Sequence, residues 1–209
     1  MFSGIVQEVG IIKNLESKDG LLELTVSSEC LVGALKSGSS IAINGCCQTV
    51  IEKDKNSFKV QATEETLKKT NFLNLKINSK VNLEPALKVG ETIDGHLVSG
   101  HIDTVGEISD ILSCGENQTV KISFPGEYGK YIAPKGSIAV NGVSLTIIDL
   151  DNVRAGLKPA LTLTLIPFTR DNTNLGLLKI GDLVNLEVDL VSRYLVNYYE
   201  NKTANVIKL

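Results

Sequence analysis

The chain uses one short stretch twice, and this repeat constrains the fold more than any other feature. The first copy is SIAINGCCQTV at residues 40–50, and the second is SIAVNGVSLTI at residues 137–147. In both copies an Asn-Gly pair, which readily takes the positive φ angles of a two-residue turn, separates two runs of β-forming residues. Each copy is therefore predicted to form a β-hairpin.

Two further blocks recur in the same order. SGIVQEVG at residues 3–10 returns as SGHIDTVG at 99–106, and TNFLNLKINSKVNLEPAL at 70–87 returns as TNLGLLKIGDLVNLEVDL at 173–190. Three blocks at nearly one offset indicate a duplicated domain rather than chance similarity, and a period of about 100 residues is too long for a solenoid. We predict a first domain at residues 1–90, a second domain at 97–189, and a C-terminal helix and tail at 190–209.

Each half reads as a series of short strands. LLELTVS (21–27) and SFKVQAT (57–63) are compatible with strands, TVKISF (119–124) and LTLTLIP (161–167) echo them, and KVNLEPAL and LVNLEVDL close the halves. Short helical pieces are predicted at 29–38 and 65–75. About six short strands at regular spacing indicate a small closed β-barrel, which also removes exposed sheet edges.

The tail at residues 190–202 has no counterpart in the first half. Apolar side chains fall at helical spacing along it, at Leu190, Val191, Tyr194, Leu195 and Tyr198. Two interpretations remain open: the helix packs on its own barrel, or it is a self-association helix.

Composition excludes several classes of protein. The net charge is −3 and no basic run occurs, which argues against nucleic-acid binding. No apolar run approaches the roughly 20 residues of a membrane helix, and the first ten residues lack the pattern of a signal peptide. Four cysteines do not make a disulfide scaffold, so a reducing cytoplasm is the expected setting.

The hairpins carry reactive groups at matched positions. Because alternate residues of a strand share a face, Cys47 and Thr49 should lie side by side in the first hairpin, as should Ser144 and Thr146 in the second. A buried structural thiol is the ordinary interpretation of a lone cysteine, but the match of Cys47 to Ser144 favours a polar, site-facing role.

Other polar residues leave alternatives open. His96 and His101 are five apart, a poor spacing for a shared metal, and no Cys-x-x-Cys motif occurs. The two histidines remain candidates for acid, base or hydrogen-bond donor. Lys135 is read as a solvated lysine and Asp189 as a turn residue at a strand end, unless another argument assigns them to a site.

Together these motifs resemble the riboflavin synthase α-chain family. The opening MFSGIVQEVG is similar to the start of that family, GHLVSGHID to its junction, NGCCQTV and NGVSLTI to its paired hairpins, and VNLEVD to its terminal strand. The resemblance implies an all-β fold of two tandem six-stranded Greek-key β-barrels related by internal duplication, plus a C-terminal α-helix.

The resemblance also implies an activity. Family members convert two molecules of 6,7-dimethyl-8-ribityllumazine into riboflavin and 5-amino-6-ribitylamino-uracil, by transfer of a four-carbon unit and without cofactor or metal. They form homotrimers through their C-terminal helices, and association with lumazine synthase is a further expected partnership. The active site lies between the N-terminal barrel of one subunit and the C-terminal barrel of the next.

Family roles transfer onto matching positions of this chain. Catalytic roles are expected for Cys47, His101, Ser144 and Thr146, with supporting roles for Asp189 and Phe2. Lumazine contacts in the first barrel are expected at Gly4, Ile5, Val6, Cys47, Gln48, Thr49, Gln61, Ala62, Thr63, Glu64, Glu65 and Thr66. Those in the second barrel are expected at Gly100, His101, Ile102, Ser144, Leu145, Thr146, Thr164, Leu165, Ile166, Pro167, Phe168 and Thr169, and Lys135 is expected to reach a neighbouring subunit's pocket.

Two departures and one competitor accompany this resemblance. Ser3 replaces the usual Thr, and Phe168 stands where a Glu commonly precedes the Thr, which weakens any expectation of a carboxylate contact there. Lumazine proteins of luminous bacteria have a similar fold but bind the lumazine without turnover. They lack the thiol and the histidine that this chain carries as Cys47 and His101, so the sequence favours the enzyme.

Overall fold

A computed structural model describes residues 1–151 and 158–206, with side chains up to residue 202. Within these residues the strands form two closed antiparallel barrels of six strands each. The all-β prediction, the duplication and the single C-terminal helix are confirmed.

The two barrels share one topology. The first consists of β1 (Glu8–Lys18), β2 (Leu21–Ser27), β3 (Ser40–Ile43), β4 (Cys46–Lys53), β5 (Ser57–Ala62) and β6 (Lys80–Pro85), in the order β1-β2-β5-β4-β3-β6. The second consists of β7 (Thr104–Cys114), β8 (Asn117–Ser123), β9 (Ser137–Val140), β10 (Val143–Asp151), β11 (Ala160–Leu165) and β12 (Leu183–Val188), paired in the same way. Strands β3, β4 and β5 follow one another, and β6 returns beside β3, which is a Greek key.

The repeated stretches form the expected hairpins. Asn44 and Gly45 have φ angles of 45° and 77°, and Asn141 and Gly142 have 45° and 78°, as a type I′ turn requires. The turns fix the register, so that Cys47 lies opposite Ala42 and Ser144 opposite Ala139. Alternate residues of β4 and β10 point into the barrels, where Val, Ile, Leu and Phe form two separate cores.

The two Asn-Gly turns meet back to back between the barrels. A Cβ on Gly45 would lie 2.7 Å from the backbone nitrogen of Gly142, and a Cβ on Gly142 would lie equally close to Gly45. Only glycine therefore permits this approach of two backbones.

Buried asparagines join the barrels around these turns. Asn185 accepts the backbone N–H of Asn71 at 2.7 Å and donates to the carbonyl of Asn44 at 2.9 Å. Asn82, its repeat counterpart, accepts the N–H of Asn174 at 2.7 Å and donates to the carbonyl of Asn141 at 2.9 Å. The equal distances show that the network follows the internal twofold symmetry.

The segments that precede the barrels cross between them. Phe2 pairs with Val98 through two backbone hydrogen bonds, from Phe2 N to Val98 O at 2.8 Å and from Val98 N to Phe2 O at 3.1 Å. Val6 packs against the core of the second barrel, whereas Ile102 packs against the core of the first. Each barrel is thus completed by the leading segment of the other.

One helical prediction is wrong and one is right. Residues 29–38 form turns, because the two groups that a helix would join, the Lys36 N–H and the Val32 carbonyl, bond elsewhere. The N–H donates to the Ser39 hydroxyl and the carbonyl accepts from the Lys53 ammonium, each at 3.0 Å. The second piece, predicted at 65–75, consists of α1 (Glu64–Lys69) and the 3₁₀ helix Asn71–Asn74, and α2 (Pro167–Asn172) repeats it.

The C-terminal helix α3 (Leu190–Val206) carries its apolar stripe on the outside. Tyr194 and Tyr198 are 69% and 61% exposed, and Val191 and Leu195 are more than half exposed. The stripe therefore does not pack on the chain's own barrel. Arg193 anchors the helix through a 2.9 Å ion pair with Asp103. Among the described residues, no helix combines the length and the apolar character that crossing a membrane requires.

Candidate functional site

A cleft opens beside the first hairpin, where strand β4 meets the leading segment of the second barrel. Its volume is about 270 Å³. We call it the Cys47 pocket, and it is lined by Cys46, Cys47, Glu65, Thr66, Lys69, Thr70, Gly100, His101 and Ile102.

The two adjacent cysteines have different environments. Cys46 points into the barrel, where burial raises the pKa of its thiol to about 12 and keeps it protonated. Cys47 points outward and is half-buried, so its sulfur can contact a molecule in the cleft. Strand alternation therefore selects Cys47 as the accessible thiol, as the sequence predicted.

Gly100 holds the cleft's two sides together. The backbone N–H of Cys47 donates to the Gly100 carbonyl at 2.8 Å. Gly100 has a φ of +83°, and a Cβ there would lie 2.6 Å from the Cys47 Cβ. This close contact brings His101, whose side chain is exposed, to the rim of the pocket beside the thiol.

The second hairpin has a corresponding arrangement, which we call the Ser144 site. The N–H of Ser144 donates to the Gly4 carbonyl at 2.7 Å, and Gly4 has a φ of +76°. The Ser144 hydroxyl lies 2.7 Å from Nδ1 of His96. The Ser144 site therefore repeats the backbone geometry of the Cys47 pocket but places a hydroxyl and an imidazole in direct contact.

His96 is held in its neutral form. Burial lowers the pKa of this imidazole, and the negative charge of Asp189 opposes that effect only in part. A neutral Nδ1 can accept the proton of the Ser144 hydroxyl, which makes the pair capable of acid-base chemistry. Within the described part of the chain, the buried Nε2 of His96 has no hydrogen-bond partner.

Two buried glutamates that the sequence analysis did not select support both sites. Glu84 accepts the N–H and hydroxyl of Ser3 and the N–H of Gly4, and Glu187 accepts the same groups of Ser99 and Gly100. Burial raises the pKa of each carboxyl, and these hydrogen bonds oppose the shift. The detectable signal was the repetition of Val-Asn-Leu-Glu at 81–84 and 184–187 together with Ser-Gly at 3–4 and 99–100.

The structure brings the predicted contact residues together in crossed groups. Gly4 to Val6 were expected in the first barrel with Cys47, and Gly100 to Ile102 in the second barrel with Ser144. The Cys47 pocket instead contains Gly100, His101 and Ile102, while Gly4 contacts Ser144. The reason is the crossing of the leading segments, which local sequence patterns do not reveal.

The remaining predicted residues divide by exposure. Thr49 and Thr146 lie on the outer face beside Cys47 and Ser144, and Ile5, Ile166 and Phe168 are also exposed. The side chains of Gln48, Ala62, Leu145 and Leu165 point into the barrels, so any ligand contact they make would involve backbone atoms. Of the other predicted residues, Gln61 and Thr164 lie in β5 and β11. The segments that follow these strands contain Thr63, Glu64, Glu65, Thr66, Pro167 and Thr169.

Three predicted residues have structural contacts of their own. Phe2 is completely buried between the barrels, beneath Gly100. Asp189 accepts the N–H of Val191 at 2.8 Å and so caps α3. Lys135 is exposed in the turn before β9, with a φ of +68°. No group of His, Cys, Asp and Glu able to hold a metal ion occurs among the residues that the structure describes.

Comparison with known proteins identifies the class of these barrels. A model of the lumazine binding domain matches residues 3–86 and again residues 99–189. A riboflavin synthase of Actinobacillus pleuropneumoniae is 38% identical over 98% of this chain and 93% of that protein. A riboflavin synthase of Bacillus subtilis is 36% identical over 99% of this chain and 95% of that protein.

Solved structures agree with this assignment. The crystal structure of LumP complexed with riboflavin has a TM-score of 0.80 and 26% identity, covering 90% of this chain and 99% of that one. LumP complexed with 6,7-dimethyl-8-(1'-D-ribityl) lumazine has a TM-score of 0.78 and 25% identity at the same coverage.

Proposed function

The chain belongs to the riboflavin synthase family, and from that premise we propose that it converts two molecules of 6,7-dimethyl-8-ribityllumazine into riboflavin and 5-amino-6-ribitylamino-uracil. One lumazine donates a four-carbon unit and the other accepts it. The observation that carries the proposal is a pair of sites with the same backbone construction and different reactive groups. A dismutation needs two such sites, because two identical substrates must be held in two different roles.

The Cys47 pocket supplies a nucleophilic or proton-transferring pair. Its thiol and the imidazole of His101 face one cleft, and Thr66 adds a hydroxyl. Groups of this kind can orient a heterocycle and stabilise an anion that is spread over its ring. Cys47 and His101 are the catalytic residues that we assign to this pocket.

The Ser144 site supplies an acid-base pair. The 2.7 Å contact between Ser144 Oγ and His96 Nδ1 lets the neutral imidazole take the hydroxyl proton. Thr146 lies next to Ser144 on the outer face and adds a second hydroxyl. We therefore add His96 to Ser144 and Thr146 in the catalytic set, while Asp189 and Phe2 act through packing, capping and charge.

We also propose that the active site forms between subunits of a homotrimer, so that the Cys47 pocket of one subunit faces the Ser144 site of the next. The exposed apolar stripe of α3 supports self-association. Lys135, which is exposed near the second hairpin, would then reach the neighbouring pocket. Four unpaired cysteines support a cytoplasmic setting, and an association with lumazine synthase follows from the family alone.

The test is turnover of the lumazine itself. Purified, chelator-treated protein is incubated with 6,7-dimethyl-8-ribityllumazine alone, and riboflavin formation is compared with lumazine loss. We expect about half a mole of riboflavin per mole of lumazine consumed, as the dismutation requires. Ser144→Ala should lower kcat about 100-fold with little change in KM, because the hydroxyl acts in the transition state. Unchanged kcat in that variant would remove Ser144 from the mechanism.

A binding protein without turnover is the second candidate. It is favoured by the similarity to LumP, whose structures contain lumazine, riboflavin or flavin mononucleotide. The higher identity to synthases and the pairing of Cys47 with His101 in one cleft favour the enzyme. Tight lumazine binding with no riboflavin formed would establish the binding protein instead.

A further inference from the structure

We propose that Glu187 is the positioning residue of the Cys47 pocket and that Glu84 has the same task at the Ser144 site. Neither glutamate lines the Cys47 pocket, and both side chains are buried. Each instead fixes the backbone segment that carries or touches the reacting groups. The catalytic part of this inference rests on the proposed function, whereas the positioning itself can be measured without turnover.

Glu187 binds three donors with two oxygens. Oε1 accepts the N–H of Ser99 at 2.7 Å and its hydroxyl at 2.6 Å, and Oε2 accepts the N–H of Gly100 at 3.0 Å. The side chain is only 2% exposed. Charge-assisted bonds of this kind are short and strong, and their loss would leave buried donors unpaired.

These bonds continue to both reactive groups of the pocket. The Ser99 hydroxyl also accepts the N–H of His101 at 3.3 Å, which fixes the direction in which that residue leaves the segment. The Gly100 carbonyl accepts the N–H of Cys47 at 2.8 Å. Glu187 therefore fixes the distance between strand β4, which carries Cys47, and the segment that carries His101.

Glu84 makes the equivalent hydrogen bonds at the Ser144 site. Its oxygens accept the Ser3 N–H at 2.7 Å, the Ser3 hydroxyl at 2.8 Å and the Gly4 N–H at 3.1 Å. The Ser3 carbonyl accepts the N–H of His96 at 3.1 Å, and the Gly4 carbonyl accepts that of Ser144. Glu84 therefore holds the two partners of the 2.7 Å hydroxyl–imidazole contact.

A carboxylate suits this task better than its amide. In Glu187→Gln, one of the two side-chain positions becomes an NH₂ group, which faces an N–H donor of Ser99 or Gly100 and repels it. The segment must then shift, and displacements of about 1 Å in an active site can cost about 100-fold in rate. A role in fold stability alone would loosen the barrel without moving one histidine selectively.

The chain contains only His96 and His101, so histidine NMR reports on each site separately. Spectra of protein labelled at histidine are recorded at neutral pH without ligand. We expect Glu187→Gln to move the His101 resonances and to leave those of His96 in place, and Glu84→Gln to do the reverse. Ser99→Ala, which keeps the backbone donors, should move His101 in the same direction by less.

Kinetics complete the test. Glu187→Gln should lower kcat at least tenfold with a smaller change in KM, whereas Glu107→Gln, which removes an exposed charge on β7, should match the native protein. If Glu187→Gln leaves both His101 and kcat unchanged, or if both variants move both histidines equally, the positioning role is refuted. If the native protein shows no turnover, selective histidine shifts still support positioning, and only the proposed function fails.

Discussion

Removing the Asn185 side chain tests whether the asparagine network is the main polar connection between the barrels. Asn185→Ala deletes an acceptor for the Asn71 N–H and a donor for the Asn44 carbonyl, at 2.7 and 2.9 Å, in a position with no solvent exposure. A buried group left unpaired costs about 1–3 kcal/mol, so two such groups cost about 2–6 kcal/mol. That is a large share of the roughly 5–15 kcal/mol by which domains are stable.

The internal symmetry provides a matched variant. Asn82→Ala removes bonds of the same two lengths to Asn174 and Asn141, so its cost should agree with that of Asn185→Ala within about 1 kcal/mol. Asn117→Ala, at an exposed position, should change stability by less than about 0.5 kcal/mol.

Urea unfolding followed by circular dichroism measures these changes, since the chain has no tryptophan to serve as a fluorescent probe. Both network variants should lower the midpoint. Loss of the inter-barrel bonds should also separate one transition into two, because each barrel has its own core. Stability within about 0.5 kcal/mol of the native protein for either variant would refute the assignment of two unpaired buried groups.

Three further predictions concern the sites and the helix. Gly100→Ala should abolish lumazine binding in the Cys47 pocket, because its Cβ would lie 2.6 Å from that of Cys47 at a φ of +83°. In the control Gly33→Ala the new Cβ meets no described atom within 4 Å, so this variant should bind lumazine normally by calorimetry. Equal affinities of the two variants would contradict the geometry. Because burial lowers the pKa of His96 below its ordinary value near 6.5, the unfolded chain takes up the proton first on acidification, so stability should be constant above about pH 7 and fall below about pH 6.5. The kcat follows the lowered pKa of the folded protein and should therefore begin to fall only at a lower pH than stability does; a kcat that rises on acidification would exclude a neutral His96 as the base. Leu195→Glu should weaken self-association in sedimentation experiments without lowering the unfolding midpoint of the barrels, because the side chain is 53% exposed; an unchanged oligomer would show that α3 does not form the contact.

Sequence reasoning succeeded where the information was local. Asn-Gly turns, strand alternation and the repeat predicted the hairpins, the duplication and the outward direction of Cys47 and Ser144, and the structure confirms them. These features depend only on φ preferences and on a period of two residues. The same periodicity should have excluded the side chains of Gln48 and Leu145 from the outer face, since they alternate with the reactive positions.

The roles of Glu84 and Glu187 and the turns at 29–38 were not predicted, because they depend on contacts between residues that are distant in sequence. Glu187 reaches Ser99 across 88 residues and Glu84 reaches Ser3 across 81, and a fully buried glutamate is rare in proteins. The turns at 29–38 were predicted as helix from the local sequence, which does not show that Lys53 and Ser39 take the backbone groups of Val32 and Lys36. Long-range hydrogen bonds override local propensity in both cases.

The crossed leading segments also restrict which shorter ancestors of this chain could have had a complete site. Val6 completes the second barrel and Ile102 completes the first, so neither half has a finished site when alone. An ancestor of half this length could have worked only as a pair of chains that exchanged their N-termini. Gene duplication and fusion would then have joined two partners that were already interlocked, and freed each copy to change its reactive residues independently of the other.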